Sequence, residues 1–449
     1  MDVLTAARSE QQQHQAAGAL AALGLRAGDR VAFLLPGSGG LLSAVLGALR
    51  TGVVPVLLDP ALTPVERRDV LGDAQPSLVV DDAQGLRSLL AGPATDLAPV
   101  PLARPMHYTS GTTGRRKGVW SGVLEESDAA ALLAEEQALW GFRDDDRHLV
   151  VSALHHSAPL RFATTTLLAG GEVAVLPRFD APAALGALAR LRPTSLFCAP
   201  VHLQRLFAAV DDGARLPDLS SVRLLAHAGA PCPAPLKGRT VEAFPEGSVW
   251  EFYGSTEGQF TACSTADWAS HPGSVGRARP GRELSVDADG TIWCCVPAYA
   301  RFRYWRDPDK TARAWRGDAF TVGDLGRLDG EGYLHLDGRR EDLLLTGGVN
   351  VYPLEVEVAL SACPGVVDVA VFGRPDRQWG QRVCVAYAGS ATEDDVRAFG
   401  TARLSPAKRP KEYHRVDVLP RSAAGKVRRA ALPFQLGLED DGLTTAPPG

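Results

Sequence analysis

Over roughly the first 250 residues, short apolar runs alternate with alanine- and leucine-rich stretches of helical period. No other property of the chain restricts its fold as much. Residues 31–35, 53–58, 77–80, 149–152, 172–176, 194–198, 222–226 and 248–252 read as strands, with 183–192 and 202–210 among the helices between them. A continuously apolar strand is buried on both faces, and an intervening helix carries the chain back for parallel pairing. The sequence therefore predicts an α/β protein with a large N-terminal domain of parallel-rich sheets and helices.

From about 273 to 336 the texture changes to glycine-punctuated strands such as 290–294 and 332–336, which predicts a small antiparallel or barrel-like subdomain. After Gly338 the pattern resets. Pro353 opens a predicted helix that ends before Pro364 and Gly365. Strands follow at 366–372 and 383–387, a helix starts at Thr392 with Asp395 in capping-box position, and a further strand is expected near 415–419. These elements make a small, mobile α+β C-terminal domain. The expected boundaries are 1–338 for the N-terminal domain, 339–342 for a hinge and 343–449 for the C-terminal domain, with a tail from about 433. The Asp/Gly/Thr/Pro-rich residues from about 439 are expected to be disordered.

Bulk properties narrow the function. A length of 449 residues accommodates two or three layered units, and 45% hydrophobic residues make the chain globular. A net charge of -5, with basic residues scattered among acids, argues against nucleic acid as a partner. No apolar run approaches the ~20 residues of a membrane span, and the first residues lack the pattern of a signal peptide. The 7 cysteines include no C-x-x-C pair, so neither a zinc site nor a disulfide framework is indicated, and a reducing cytoplasm fits.

The chemistry starts at Tyr108-Thr-Ser-Gly-Thr-Thr-Gly-Arg-Arg-Lys-Gly118. Glycines free backbone N–H groups to turn inward, hydroxyls donate further hydrogen bonds, and Lys117 adds positive charge, which together suit a polyphosphate. The string is not a Walker-type P-loop. Downstream come Glu251-Phe-Tyr-Gly-Ser-Thr-Glu-Gly258, Gly323-Asp-Leu-Gly326, Asp337-Gly-Arg-Arg-Glu-Asp342 with Thr346-Gly-Gly-Val-Asn-Val-Tyr-Pro353, and Pro420-Arg-Ser-Ala-Ala-Gly-Lys-Val-Arg-Arg429. The first of these brings an aromatic face, a hydroxyl and a carboxylate together; an aromatic can stack on a base and a carboxylate can ligate Mg²⁺.

In this order the segments resemble the adenylate-forming superfamily of acyl-CoA synthetases, adenylation domains and luciferases, over nearly the whole chain. His156-Ser-Ala-Pro159, His227-Ala-Gly-Ala-Pro-Cys-Pro233, Ser255-Thr-Glu-Gly258 and His271-Pro-Gly-Ser-Val-Gly-Arg277 bring it nearest to the fatty-acyl and aryl-acyl-CoA synthetases. The resemblance implies that Thr109, Ser110, Gly111, Thr112, Thr113, Gly114 and Lys117 wrap the β- and γ-phosphates of ATP. It further implies an adenine site at Gly229, Ala230, Pro231 and Tyr253, and ribose contacts from Asp324 and Arg339. Thr256 would bond the α-phosphate, Glu257 would bind Mg²⁺, and His156 would join them among the catalytic residues. Lys426 would meet the carboxylate and α-phosphate in the first half-reaction. Gly347 and Gly348 would admit the pantetheine arm of CoA in the second, with Glu341 at the hinge.

The implied reaction is ATP-dependent activation of a carboxylic acid to an acyl-adenylate, followed by transfer to CoA. Loading of a carrier protein's phosphopantetheine, activation of a non-carboxylate such as nitrite, and a non-catalytic nucleotide-binding module stay open beside it. Retention of Lys117 and Lys426 speaks against the last. The sequence starts near the family's first recognisable helix (16–25), so the segment that usually precedes it is missing here, which bears on oligomerisation surfaces. Oligomeric state is not indicated. Arg161 is an unusual charge so near an acyl pocket: either it points to solvent, or it recognises a polar or anionic group on the acid.

Overall fold

The alternating half of the sequence folds as an eight-stranded sheet in a computed structural model that describes residues 3–109, 117–376, 378–421 and 426–438. Its centre is parallel: Glu172–Val175, Arg147–Val150, Ser195–Cys198, Leu224–His227 and Val249–Glu251 lie side by side. Towards the edges pairing is antiparallel, with Val3–Thr5 against Glu172–Val175, and Thr261–Ser264 against Val249–Glu251 followed by Arg277–Ala278 as the eighth strand. A second, three-stranded parallel sheet has Arg30–Phe33 between Val54–Leu57 and Leu78–Val80. Connecting helices begin where the sequence supplies a cap. The Ser38, Asp82 and Asp180 side chains accept from the first-turn N–H groups of Leu41, Gly85 and Ala183, and Thr63 with Glu66 forms a full capping box.

Burial follows the pattern. Val31, Ala32, Phe33 and Val56 are at most 1% exposed and pack with Leu42, Val45 and Leu46 of the Gly39–Arg50 helix. A separate aromatic cluster of Trp140, Phe162, Phe197 and Phe252 sits against the larger sheet, with ring centroids 5.2–6.4 Å apart. At about 25 cal/mol per Å² of apolar area removed from water, each such ring contributes roughly 2–3 kcal/mol. All of this belongs to one structural unit: residues 1–228, 240–285 and 293–322.

A second unit comprises residues 229–239, 286–292 and 323–449. It holds the antiparallel pair Asp324–Leu328 and Leu334–Arg339, which has an irregularity between Leu325 and Gly326. Its C-terminal sheet runs Val349–Val351, Leu344–Thr346, Gly380–Gly389, Val366–Asp376, with Glu412–Arg415 added parallel to Gly380–Gly389. Helix Pro353–Ser361 starts with its proline in the first turn, and helix Glu393–Arg403 carries the expected Thr392/Asp395 capping box. Val356, Leu360, Val371, Val383 and Val385 form the core between sheet and helices, each fully buried.

The last strand lies earlier than the 415–419 expected. Cys384 and Tyr387 pair with Glu412 and Arg415, after which the chain leaves the sheet and Val418 is 69% exposed. An apolar run at a strand exit imitates a strand in sequence. The residues from 439, expected to be disordered, lie outside the described residues. No helix among the described residues is long and apolar enough to cross a membrane.

Candidate active site

The phosphate-loop string is mounted on a hairpin. Strands His107–Thr109 and Lys117–Trp120 pair antiparallel with Thr109 opposite Lys117. Ser110, Gly111, Thr112, Thr113 and Gly114 lie outside the described residues. Lys117 leaves that loop with its ammonium 2.5 Å from Asp307 Oδ2, and this bond holds the Asp307 carboxyl below the usual carboxylate range. The Tyr108 hydroxyl donates to Asp73 at 2.7 Å; burial and that carboxylate push its pKa up. Gly118 leaves little room for a side chain, since a Cβ there would stand 3.1 Å from the Tyr108 ring and 3.2 Å from Trp305 Cβ, so those neighbours would have to give by a few tenths of an ångström.

Strand Val249–Glu251 delivers the second motif. After it the chain reverses tightly: Ser255 N–H donates to the Gly258 carbonyl at 2.9 Å, and Phe260 and Thr261 N–H both donate to the Tyr253 carbonyl. The Thr261 hydroxyl accepts from Tyr253 N–H at 3.0 Å and donates to the Val275 carbonyl at 2.6 Å, which fixes the turn's base. Glu257 is 7% exposed, and its Oε1 accepts a 2.8 Å hydrogen bond from the Tyr304 hydroxyl. Strand Arg303–Tyr304 pairs with Lys117–Trp120, so one sheet carries both Lys117 and the tyrosine that grips Glu257.

His156 precedes helix Ser157–Leu168 as its N-cap residue, its ring 4.3 Å from that of His155. The carbonyl of His155 meets His107 Nδ1 at 3.1 Å, and burial lowers the His107 pKa to about 4. This contact ties the start of the phosphate-loop hairpin to the start of the helix.

Arg161, on the same helix, does not point to solvent. Its guanidinium donates to Gln259 Oε1 at 2.9 Å, reaches Glu136 Oε1 at 3.4 Å and lies 5.6 Å from the Phe252 ring centroid. Arg279 donates to the same Glu136 oxygen at 2.5 Å. Burial would raise the Glu136 pKa, but Arg161 and Arg279 overrule it and hold the carboxyl below the usual range. The solvent-facing expectation fails because the partners come from residues 25 and 98 positions away, which no local pattern reveals.

In the second unit, Asp324 and Arg339 face each other across their hairpin, with Arg339 Nε 2.9 Å from Asp324 Oδ1. Gly347 and Gly348 have φ of 56° and 78° and turn the chain between Thr346 and Val349, a two-residue hairpin loop that requires left-handed backbone. A Cβ at Gly347 would stand 2.8 Å from the Trp379 ring. Gly229 follows strand Leu224–His227 with φ 94°, and Ala230 and Pro231 come directly after it. Lys426 is exposed beside the Arg421–Val427 bridge.

Tyr304, Asp307, Gln259 and Glu136 were not singled out by motif. The one available signal was Asp307-Pro308, a helix start in which the Asp307 side chain accepts from Lys310 N–H. Among the described residues no group of three or more His, Cys, Asp or Glu is arranged to hold a metal.

Comparison with known proteins identifies the family of the chain. The family model described as AMP-binding enzyme matches residues 2–102 and 103–293, and AMP-binding enzyme C-terminal domain matches 355–426. Feruloyl-CoA synthase of Amycolatopsis sp is 32% identical over 97% of this chain and 94% of its own. Indoleacetate–CoA ligase of Aromatoleum aromaticum is 31% identical over 92% and 89%. The crystal structure of ATP-bound MatB from Rhodopseudomonas palustris superposes with TM-score 0.82 at 30% identity, covering 96% and 93%. o-Succinylbenzoate CoA synthetase from Bacillus subtilis, solved with its acyl-adenylate intermediate, gives 0.81 at 26% identity over 95% and 92%. With both parts of the family matched along its length, the chain belongs to the adenylate-forming AMP-binding enzymes, in their acyl- and aryl-CoA ligase branch.

Proposed function

We propose that this chain is an ATP-dependent acid–thiol ligase for an aromatic or medium-sized carboxylic acid. The observation that carries the reading is the match to both family parts, AMP-binding and C-terminal, on one chain that retains Lys117, Glu257 and Lys426. In the first half-reaction a carboxylate oxygen attacks the α-phosphorus of ATP. The bond to the β-phosphate oxygen breaks and pyrophosphate leaves. In the second, the CoA sulfur attacks the acyl carbonyl carbon and AMP leaves with the bonding pair.

Both reactants of the first step are anions, so their approach needs fixed positive charge in a water-poor site. Residues 109–114 with Lys117 hold the β- and γ-phosphates, Thr256 holds the α-phosphate, and Lys426 bridges carboxylate and α-phosphate. Tyr253 with Gly229, Ala230 and Pro231 takes the adenine, Asp324 and Arg339 the ribose, and His156 borders the reacting carboxylate. Glu257, buried and oriented by Tyr304, is the carboxylate suited to Mg²⁺. When bound, that ion would offset phosphate charge. Residues 339–342 act as a hinge for residues 343–449, which present Lys426 first and Gly347–Gly348 second.

The test is a pyrophosphate-release screen over carboxylic acids, with CoA, holo-carrier-protein and nitrite arms. Acid-dependent pyrophosphate and a new CoA thioester are expected. Release only with nitrite, or a thioester only on the carrier, would overturn the reading.

A further inference from the structure

The segment that carries Lys426 is held at both ends by arginines. Its base is closed by the Arg421–Val427 bridge and by Arg428 N–H, which donates to the Pro420 carbonyl at 2.8 Å. Lys426 stands one residue inside that closure and is exposed. On the entering side, Arg421 makes three hydrogen bonds of 2.6–3.2 Å to the Asp368 carboxylate on strand Val366–Asp376. On the leaving side, Arg429 grips Glu357 of helix Pro353–Ser361 with Nε at 3.2 Å and Nη2 at 2.8 and 2.9 Å. Its Nη1 donates to Asp342 Oδ2 at 3.1 Å. Glu357 is buried and also accepts the Val371 N–H at 2.8 Å. Directly or through Glu357, both arginines are thus anchored on one strand.

Attachment alone does not call for these pairs. Leu419 and Leu432, 1% and 0% exposed, root the segment on either side in an apolar cluster with Ala370, Phe372 and Cys384. Burying the Glu357 carboxylate works against stability: burial raises its pKa, and Arg429 offsets only part of the rise. Such pairs are a poor source of stability, but a forked arginine–carboxylate contact sets angle as well as distance. Lysine needs that support, being a point charge on a flexible four-carbon stem that is fixed only at the backbone. An error of about 1 Å in placing a catalytic group can cost about 10²-fold in rate.

We propose that Arg421 and Arg429 are positioning residues for Lys426, holding both stems of its turn so that the ammonium meets the carboxylate and α-phosphate in the first half-reaction. This rests on the role given to Lys426 above. Both act through the backbone of the turn, since their guanidinium groups are taken up by Asp368, Glu357 and Asp342. Asp342 extends the network to the last residue of the 339–342 hinge, so the lysine turn and that end of the hinge move as one piece. The second half-reaction uses the Gly347–Gly348 turn instead, and the two arginines therefore serve the first step only.

The experiment measures the half-reactions separately, on the whole chain with the acid that scores highest in the pyrophosphate screen. ATP–pyrophosphate exchange reports the first, and thioester formation from the synthetic acyl-adenylate and CoA reports the second. Arg421→Met should lower the exchange kcat about tenfold or more, with the KM for ATP within about threefold and the second half-reaction within about twofold of wild type. Arg429→Met should do the same. Because it strands Glu357, Arg421→Met carries the test if that variant does not fold, the Asp368 side chain being 20% exposed. In a Lys426→Ala background, Arg421→Met should cost nothing more in exchange, since no ammonium is left to place. Equal losses in both half-reactions, an undiminished further loss in the Lys426→Ala background, or wild-type exchange in folded Arg421→Met overturns the positioning role alone. Normal exchange in Lys426→Ala overturns the role of Lys426 itself, and the inference falls with it. Silence of the wild type toward every acid overturns the acid-activation reading.

Discussion

Replacing Tyr304 with phenylalanine deletes one hydroxyl and keeps the ring that packs edge-on against Phe302 at 5.5 Å. The hydroxyl's partner is Glu257 Oε1, 2.8 Å away in a residue only 7% exposed. A hydrogen bond to a charged, buried group is worth about 1.5–3 kcal/mol. If the bond fixes the carboxylate for Mg²⁺ and the phosphates, that loss appears in the transition state as roughly a ten- to hundredfold lower exchange rate. The carboxylate also gains rotational freedom, so the Mg²⁺ concentration at half-maximal rate should rise by about tenfold or more. The assay is ATP–pyrophosphate exchange as a function of Mg²⁺, with a thermal melt in parallel. Because the ring stays, the melting temperature should shift by only a few degrees. Exchange within twofold of the wild-type rate at every Mg²⁺ concentration would refute the argument that Tyr304 positions Glu257.

Three further outcomes follow from named contacts. Asp146 is fully buried and takes bonds from Arg223, from the Thr194 hydroxyl at 2.6 Å and from Arg143 N–H at 2.9 Å. Asp146→Ala should therefore cost about 3–5 kcal/mol in chemical denaturation, since it strands Arg223. Burial alone would raise the Asp146 pKa, yet those bonds hold it below the usual range. Its contribution is thus fully present above an unfolded value of about 3.9 and is lost as pH falls through the lower folded value. The wild type should lose this part of its stability only on acidification below pH about 4, and the variant should lack that component in a pH-dependent melt. Gly276→Ala places a Cβ 2.1 Å from the Ala262 carbonyl oxygen at a φ of 94°, and should destabilise by at least about 2 kcal/mol or block soluble expression. Lys426→Ala should depress acyl-adenylate formation by orders of magnitude while leaving the melting temperature near wild type, because the residue is exposed. Near-normal pyrophosphate release in that variant would remove Lys426 from the chemistry.

Much of the fold was legible because it rests on local patterning. Continuous apolar runs marked the parallel strands, and Thr392 with Asp395 marked a helix start from two side chains three residues apart. The family was legible for the same reason, since its strings are short and ordered. What escaped was long-range. Tyr304 reaches Glu257 across 47 residues, Lys117 reaches Asp307 across 190, and Arg279 reaches Glu136 across 143. Nothing in the neighbourhood of Arg161 distinguishes a solvent-facing charge from one held inside, because its place is decided by Phe252 and Gln259 in the turn that follows strand Val249–Glu251. The misplaced strand near 412 shows the converse limit: 416–419 has the right residue types, but the parallel register ends at Arg415, with Val416 N–H still donating to the Tyr387 carbonyl at 2.9 Å.

Quenched single-turnover product analysis tests the central claim most directly. Enzyme is mixed with ATP, Mg²⁺ and the acid that scores highest in the pyrophosphate screen, with and without CoA, and the products are separated and weighed by mass spectrometry. The account predicts acyl-adenylate and pyrophosphate without CoA, and AMP with an equimolar acyl-CoA thioester when CoA is added. ADP and phosphate in place of AMP and pyrophosphate, or AMP release with no thioester on CoA, would contradict it.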